Sequence, residues 1–285
     1  MKSYSRNELK SALSAVGVTT GSVCLVHTSL WSIGQLDDPD DLPQAWLEVL
    51  QEQVGASGAL ILPAFSYSYC KHKLFDPHKS LGCVSMLANY AILYKMGYRS
   101  PDPNFSYVFI PGSEQVAAKI AAYTFSNVSF SMDHSMVGLA FELSDEPLLL
   151  SVRTEQEPNP FTCRHYVEQA VQRRTRFMIK FSGQSLLHGE VKNTDSYYFC
   201  RIMVTNTEPA NDEIIPLNVP LGEGGIYRNS LRGEMDTFRE QICADPWYSL
   251  KGPVLSDAEL EALRAQDQVC PMSDLVPVCE HAIKL

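Results

Sequence analysis

Three stretches near the amino end constrain the fold most. GSVCLVHTSL (21–30) is an apolar run rich in β-branched residues, PQAWLEVLQEQVG (43–55) has apolar residues at helical spacing and closes on Gly55, and GALILPAF (58–65) is a second apolar run. Apolar runs without alternation suit strands buried on both faces, and a helical stretch closed by glycine suits a crossover. Strand, helix and strand in such quick succession form the α/β crossover unit, which makes the two strands parallel neighbours. The expected fold is therefore α/β, a central mostly parallel or mixed sheet flanked by helices.

The remaining pattern extends that plan. Helical spacing is read at 6–15, 84–97, 113–122, 162–174, about 233–243 and 257–267, and strands at 106–112, 146–152, 175–181 and 195–204. Gly222-Glu223-Gly224-Gly225 lacks the strand-to-helix context of a dinucleotide fingerprint and reads as a turn. No repeat of solenoid length and no linker composition is visible. Residues 1–285 are expected to form one domain or two intimately packed lobes, with a polar tail over about 253–285.

Charge and cysteine usage exclude several functions. Acidic residues outnumber basic ones 33 to 23, a net charge of -10, which argues against a nucleic-acid partner. The amino end, MKSYSRNELKSALSAVGVTTGS, lacks the apolar core of a secretory signal. No run approaches the ~18 apolar residues of a membrane span, so no membrane partner and a cytoplasmic location are expected. The eight cysteines are irregularly spaced with no CxxC, so they read as thiols. His72, His78, His188 and His281 show no metal-ligand spacing, and no metal is expected.

The chemistry concentrates in PFTCRHYVEQA (160–170). On a helix, His165 and Glu168 are three positions and roughly 60° apart, close enough to touch. A carboxylate on one imidazole nitrogen fixes the tautomer and leaves the other free as a base. Thr162 is a candidate N-cap, which sets its hydroxyl and the helix's first backbone donors where an oxyanion would be stabilised. The same spacing also suits an ordinary surface pair, and these residues alone leave both readings open. Cys163, a candidate nucleophile, stands two positions from His165 and faces another direction. Arg173, Arg174 and Arg176 read as a solvated helix end, with phosphate contact as the alternative. A second constellation, VHTSLWSIG (26–34), lies at the carboxyl end of the first strand, where open α/β sheets bind ligands.

Taken in order, VHTSLWSIG, GALILPAFSYS, GYRSPDPNFSYVFIPG, DHSMVGLAFEL, EPLLLSV and FTCRHYVE resemble the landmarks of the aminoglycoside 3-N-acetyltransferase family, over roughly residues 10–250. That family is acetyl-coenzyme A-dependent and distinct from the GNAT acetyltransferases. The resemblance implies that Thr28, Ser29 and Ser32, with His27 and Leu30 of the same loop, meet coenzyme A. It also implies that Thr162, His165 and Glu168 are catalytic, with acetyl-CoA or another acyl-CoA as co-substrate.

Two departures bear on the acceptor. Arg99-Ser100-Pro101-Asp102-Pro103 carries Asp102 where members acting on aminoglycosides usually have histidine, and Ser151-Val152-Arg153-Thr154 replaces a glycine-rich segment. With HYVEQ wording similar to a branch found with surface-polysaccharide genes, they favour a small-molecule amino sugar acceptor, nucleotide-linked, for a glycan. An aminoglycoside acceptor, as in antibiotic resistance, is the alternative, and a non-catalytic coenzyme A-binding protein is the alternative of another class. Asp133, Tyr67 and Asp102 are assigned to the acceptor side, although Asp133-His134-Ser135 reads equally as a surface turn. A homo-oligomer is compatible with all of this.

Overall fold

The computed structural model describes residues 2–37, 41–157, 162–202, 217–251, 254–266 and 283–284. In chain order its elements are β1 (Ser3–Tyr4), α1 (Arg6–Ala15), β2 (Val23–Thr28), β3 (Gln35–Leu36), α2 (Leu42–Val54), β4 (Ala59–Pro63), α3 (Met86–Leu93), β5 (Tyr98–Arg99), β6 (Tyr107–Pro111) and α4 (Glu114–Ala122). There follow β7 (Thr124–Phe125), α5 (Met136–Leu143), β8 (Leu148–Arg153), α6 (Thr162–Ala170), β9 (Arg176–Leu187), β10 (Glu190–Arg201), β11 (Leu217–Leu221), β12 (Gly224–Ser230), α7 (Leu231–Ala244), α8 (Asp257–Gln266) and β13 (Ile283–Lys284).

The main sheet is seven-stranded and mixed, in the order β11-β12-β8-β2-β4-β6-β5. β2 is parallel to both β4 and β8, as the crossover pattern requires, and the outer pairings are antiparallel. Alternate residues of each strand serve opposite faces. Cys24, Val26, Leu60, Leu62 and Leu150 join Leu9, Leu13, Trp46 and Leu50 of α1 and α2 on one side. Val23, Leu25, Ala59, Ile61 and Leu149 join α5, α6 and α7 on the other, through Leu139, Val167 and Phe238. Both faces are thus covered by helices, which is why the central strands are apolar up to their carboxyl ends.

The strands expected at 175–181 and 195–204 are longer than that reading and pair with each other. β9 and β10 form a two-stranded antiparallel hairpin apart from the main sheet, turning at His188-Gly189. Positions 203 and 204 lie outside the described residues. The hairpin is tied to the body by bridges Phe75↔Ser185 and Val128↔Tyr197. Most of the tail from 253 onward also lies outside the described residues, including Cys270, Cys279 and His281; α8 packs Leu260 beside Phe177 and Ile202. Among the described residues, no helix is long and apolar enough to cross a membrane.

Candidate active site

The parallel strands β2, β4 and β8 end side by side, and the crevice beyond their carboxyl ends is where such sheets bind ligands. Here it is a cleft of about 360 Å³, lined by His27, Thr28 and Ser29 from β2 and its loop, Pro63 of β4, Ser151 and Arg153 of β8, and by Glu157 and Thr162. The far end of the loop after β2 requires a glycine, where its backbone passes close to the amino end. Gly34 has φ +112, and a Cβ there would lie 2.2 Å from the Lys2 carbonyl oxygen. The expected turn at 222–225 is a brace for the same loop, since Glu223 N–H donates to the Ile33 carbonyl at 2.7 Å.

Within that loop, Thr28 Oγ1 is buried with no hydrogen-bond partner, the condition of a polar group suited to a ligand. Leu30 is 2% exposed and packs in the core, so it anchors the loop. The hydroxyls of Ser29 and Ser32 donate to the Glu157 carboxylate at 2.6 and 2.7 Å, and Thr154 N–H donates to the same group at 2.8 Å. Burial would raise this carboxyl, but the serine and threonine hydrogen bonds outweigh it and hold it below the usual range. Glu157 was not among the expected site residues; its local sequence does not point to the loop after β2, because Ser29 and Ser32 lie more than 120 positions away.

Thr162 is the first helical residue of α6, and its Oγ1 lies 2.8 Å from Nε2 of His27. Its hydroxyl therefore faces the end of β2 in place of the capping role expected of it; Phe161, before it, lies outside the described residues. His27 is pushed down to about 4 by burial and is neutral near pH 7.

One turn on, His165 Nδ1 is 2.9 Å from Glu168 Oε2. This is no surface pair, for Glu168 is 5% exposed. α6 ends at Ala170, short of the expected 174, because Gln172 adopts φ +54. The reversal folds the following arginines back: Arg173 Nη1 reaches Glu168 Oε1 at 2.7 Å, and Arg176 Nη2 reaches Oε2 at 2.7 Å. Both arginines are buried, which overturns their reading as a solvated helix end and leaves them away from any phosphate role. Arg174 alone is surface-exposed, paired with Asp257.

A carboxylate only accepts, so the contact with Glu168 requires a proton on Nδ1 and leaves Nε2 as the proton acceptor. Burial lowers the His165 pKa first, and Arg176 lowers it further, against the opposing effect of Glu168. Burial alone would raise the Glu168 carboxyl, but Arg176, His165 and Arg173 reverse this and hold it well below the ordinary range. Cys163 is fully buried and its thiol is pushed up to about 12 by burial, so it is no thiolate.

The His165 ring, whose side chain is 31% exposed, lies beyond the lining of the cleft and against aromatic rings: Phe130 at 5.0 Å and Tyr198 at 6.4 Å between centroids. Phe105 and Phe65 continue the wall to Tyr67, and Phe65 also lines the cleft. Phe130 and Tyr67 both hold left-handed backbone, φ +61 and +53, a strain on the order of 1–3 kcal/mol each that tends to gather at functional sites. Asp102 is attached to this wall through Ser129, whose Oγ donates to it at 2.5 Å, next to Phe130. Asp133, by contrast, is exposed in the turn before α5. Among the described residues, no group of three or more His, Cys, Asp and Glu is arranged to hold a metal ion.

Comparison with known proteins fits this geometry. The family model described as aminoglycoside 3-N-acetyltransferase matches residues 25–213. A curated relative, aminoglycoside N(3)-acetyltransferase IV from Salmonella sp, is 37% identical over 87 residues, which span 29% of this chain and 31% of that protein. Among solved structures, sisomicin-bound AAC-VIa superposes with a TM-score of 0.69 at 17% identity, over 85% of this chain and 98% of the other. The apoenzyme of aminoglycoside acetyltransferase AAC(3)-IVa gives 0.63 at 19%, over 92% and 97%. AAC-IIIb in its binary complex with CoASH gives 0.67 at 15%, over 89% and 100%. At these identities the structural likeness is one of fold.

Proposed function

The chain belongs to the aminoglycoside 3-N-acetyltransferase family, a family of acyltransferases, and from that premise we propose that it transfers the acetyl group of acetyl-coenzyme A to a primary amine of an aminoglycoside-type amino sugar. The observation that carries the reading is the His165–Glu168 hydrogen bond of 2.9 Å, set one helical turn from Thr162 at the edge of the cleft. Names of similar proteins support the acceptor class, since one is described as sisomicin-bound and another as binary with CoASH. The nucleotide-linked sugar that the sequence departures favour gains no such support.

In the proposed reaction, the acceptor amine attacks the thioester carbonyl and His165 Nε2 takes the proton the nitrogen sheds, while Nδ1–H stays on Glu168. The C–S bond then breaks and the thiolate leaves with a proton returned by the imidazole. A base positioned this way contributes roughly 10²–10⁴-fold, and holding amine and thioester together supplies much of the rest. Thr162 can donate to the developing oxyanion when His27 donates from Nε2 to Thr162 Oγ1, because that tautomer leaves the threonine proton free. The cleft suits the co-substrate on the strength of the unpartnered Thr28 Oγ1; the Ser29 and Ser32 hydroxyls give their protons to Glu157. Partly exposed Tyr67, backed by the buried rings of Phe65, Phe105 and Phe130, offers an apolar face to a sugar ring, and Asp102 a carboxylate beside them; Asp133 remains a peripheral candidate.

The test is a panel of aminoglycosides, simple amino sugars and nucleotide-linked amino sugars, assayed for amine-dependent release of free thiol from acetyl-coenzyme A. Aminoglycosides are expected to give the highest kcat/KM. Turnover of nucleotide-linked sugars alone would reassign the acceptor, and coenzyme A binding without turnover of any amine would sink the enzymatic reading.

A further inference from the structure

Arg176 makes a contact that neither the helix spacing of the dyad nor the family resemblance assigns. Its Nη2 lies 2.7 Å from Glu168 Oε2 and 3.1 Å from His165 Nδ1, at the very edge where the ring meets the carboxylate. Its Nη1 donates to the Phe199 carbonyl at 2.9 Å and approaches Tyr198 Oη at 3.5 Å. The guanidinium is thereby fixed from the hairpin, an element separate from the helix that carries His165 and Glu168.

The contact with Nδ1 has a chemical consequence. Guanidinium only donates, and Nδ1 already carries the proton given to Glu168, so no hydrogen bond between Arg176 and the ring is available in that tautomer. What remains is a full positive charge 3.1 Å from the ring. Such a charge opposes a second proton on the imidazole, while Glu168 favours one. The groups facing His165 are Glu168 on its own helix, Arg173 just after it, and Arg176 and Tyr198 from the hairpin, with the uncharged Phe130 ring on the remaining side. Two cations and one carboxylate make a net positive surround.

We infer that Arg176 is a positioning residue for the base: its guanidinium holds the Glu168 carboxylate in register with Nδ1 and keeps His165 in the neutral, proton-accepting form. Glu168 is then an orienting anion shared among three donors and takes no proton itself. Burial and then Arg176 set the ring below its ordinary value, and against burial Arg176 and the ring hold the Glu168 carboxyl below its own. The kinetic consequence rests on the acyl-transfer reading; the ring's protonation does not.

The experiment titrates His165 by NMR in the full-length protein, its ring signal assigned by its loss in His165→Ala, and measures the pH profile of kcat/KM in parallel. In Arg176→Gln the midpoint is expected to rise by about one pH unit or more, and the acidic limb of kcat/KM to rise with it. Arg176→Lys keeps the charge and should leave the midpoint near that of the unaltered protein. Glu168→Gln keeps both cations and should lower the midpoint, and the double variant Glu168→Gln/Arg176→Gln should return it part of the way. A midpoint unmoved in Arg176→Gln overturns the inference. If that variant does not fold, a midpoint that fails to fall in Glu168→Gln overturns it as well. Movement of the midpoint in a protein inactive toward every amine would uphold the electrostatic role while refuting the acyl-transfer reading.

Discussion

The hydroxyl of Thr162 and Nε2 of His27 stand 2.8 Å apart, a bond between the end of the second strand and the start of the sixth helix, 135 positions away in sequence. Replacing threonine by valine keeps the shape and leaves the part-buried imidazole nitrogen unpaired, a loss of about 1 kcal/mol. Thr162→Val should therefore be less stable by that amount in urea unfolding and lose at least about tenfold in kcat, the cost of roughly 1.4 kcal/mol. Thr162→Ser should keep most of both. Equal activity of the valine variant would remove Thr162 from the mechanism.

Glu157 sits on the hydroxyls of Ser29 and Ser32. In the proposed reading the cleft takes a phosphate-bearing co-substrate, which a carboxylate beside it would repel while occupying two hydroxyl donors. Glu157→Gln is expected to lower the KM for acetyl-coenzyme A about fivefold, the effect of ~1 kcal/mol between well-solvated charges about 4 Å apart, with kcat little changed. A KM that rises would mean that the carboxylate preforms the loop.

Two histidines give the fold an acid limit. His27 is held near 4 and His165 is also lowered, both chiefly by burial, whereas unfolded histidine titrates near ~6.5. Below that value the unfolded chain binds protons that the folded one refuses, so stability falls as pH drops from about 6.5 toward 4. Glu168, lowered by its arginines, adds a further loss below the ordinary carboxylate range, of the same sign. Melting temperature should decline steadily from pH 7 to pH 4.5, and His27→Asn should flatten part of that slope. A flat profile would contradict the lowering of both rings.

Cys163 lies in the core against Tyr166 and Val167, with its thiol raised to about 12. Cys163→Ala should retain sequential kinetics and most of its turnover, since the thiol takes no part. In the native protein, iodoacetamide should label the exposed Cys70, Cys83 and Cys243 before Cys163. Covalent acetyl on Cys163 after incubation with acetyl-coenzyme A would reverse this conclusion.

Much of the frame is legible in local pattern. Val23–Val26 and Ala59–Leu62 are apolar on both faces because helices cover both faces, and one helix between them fixes their parallel pairing. His165 and Glu168 are legible for the same reason, since helical spacing alone brings them together. What escapes local reading depends on partners far along the chain. Arg176 meets Glu168 only because Gln172 takes a left-handed turn and ends α6 early, an event for which residues 171–176 carry no glycine to announce it. Tyr198 meets His165 through the pairing of β10 with β9, and Glu157 meets Ser29 across 128 positions.

Comparison of the unaltered protein with His165→Ala tests the central claim most directly, by thiol release with the best acceptor amine and calorimetric binding of coenzyme A in the same preparation. The predicted result is a fall in kcat of roughly 10²–10⁴-fold, with coenzyme A affinity changed by less than about threefold, since the ring lies outside the cleft lining. Turnover that survives the substitution undiminished would contradict the account.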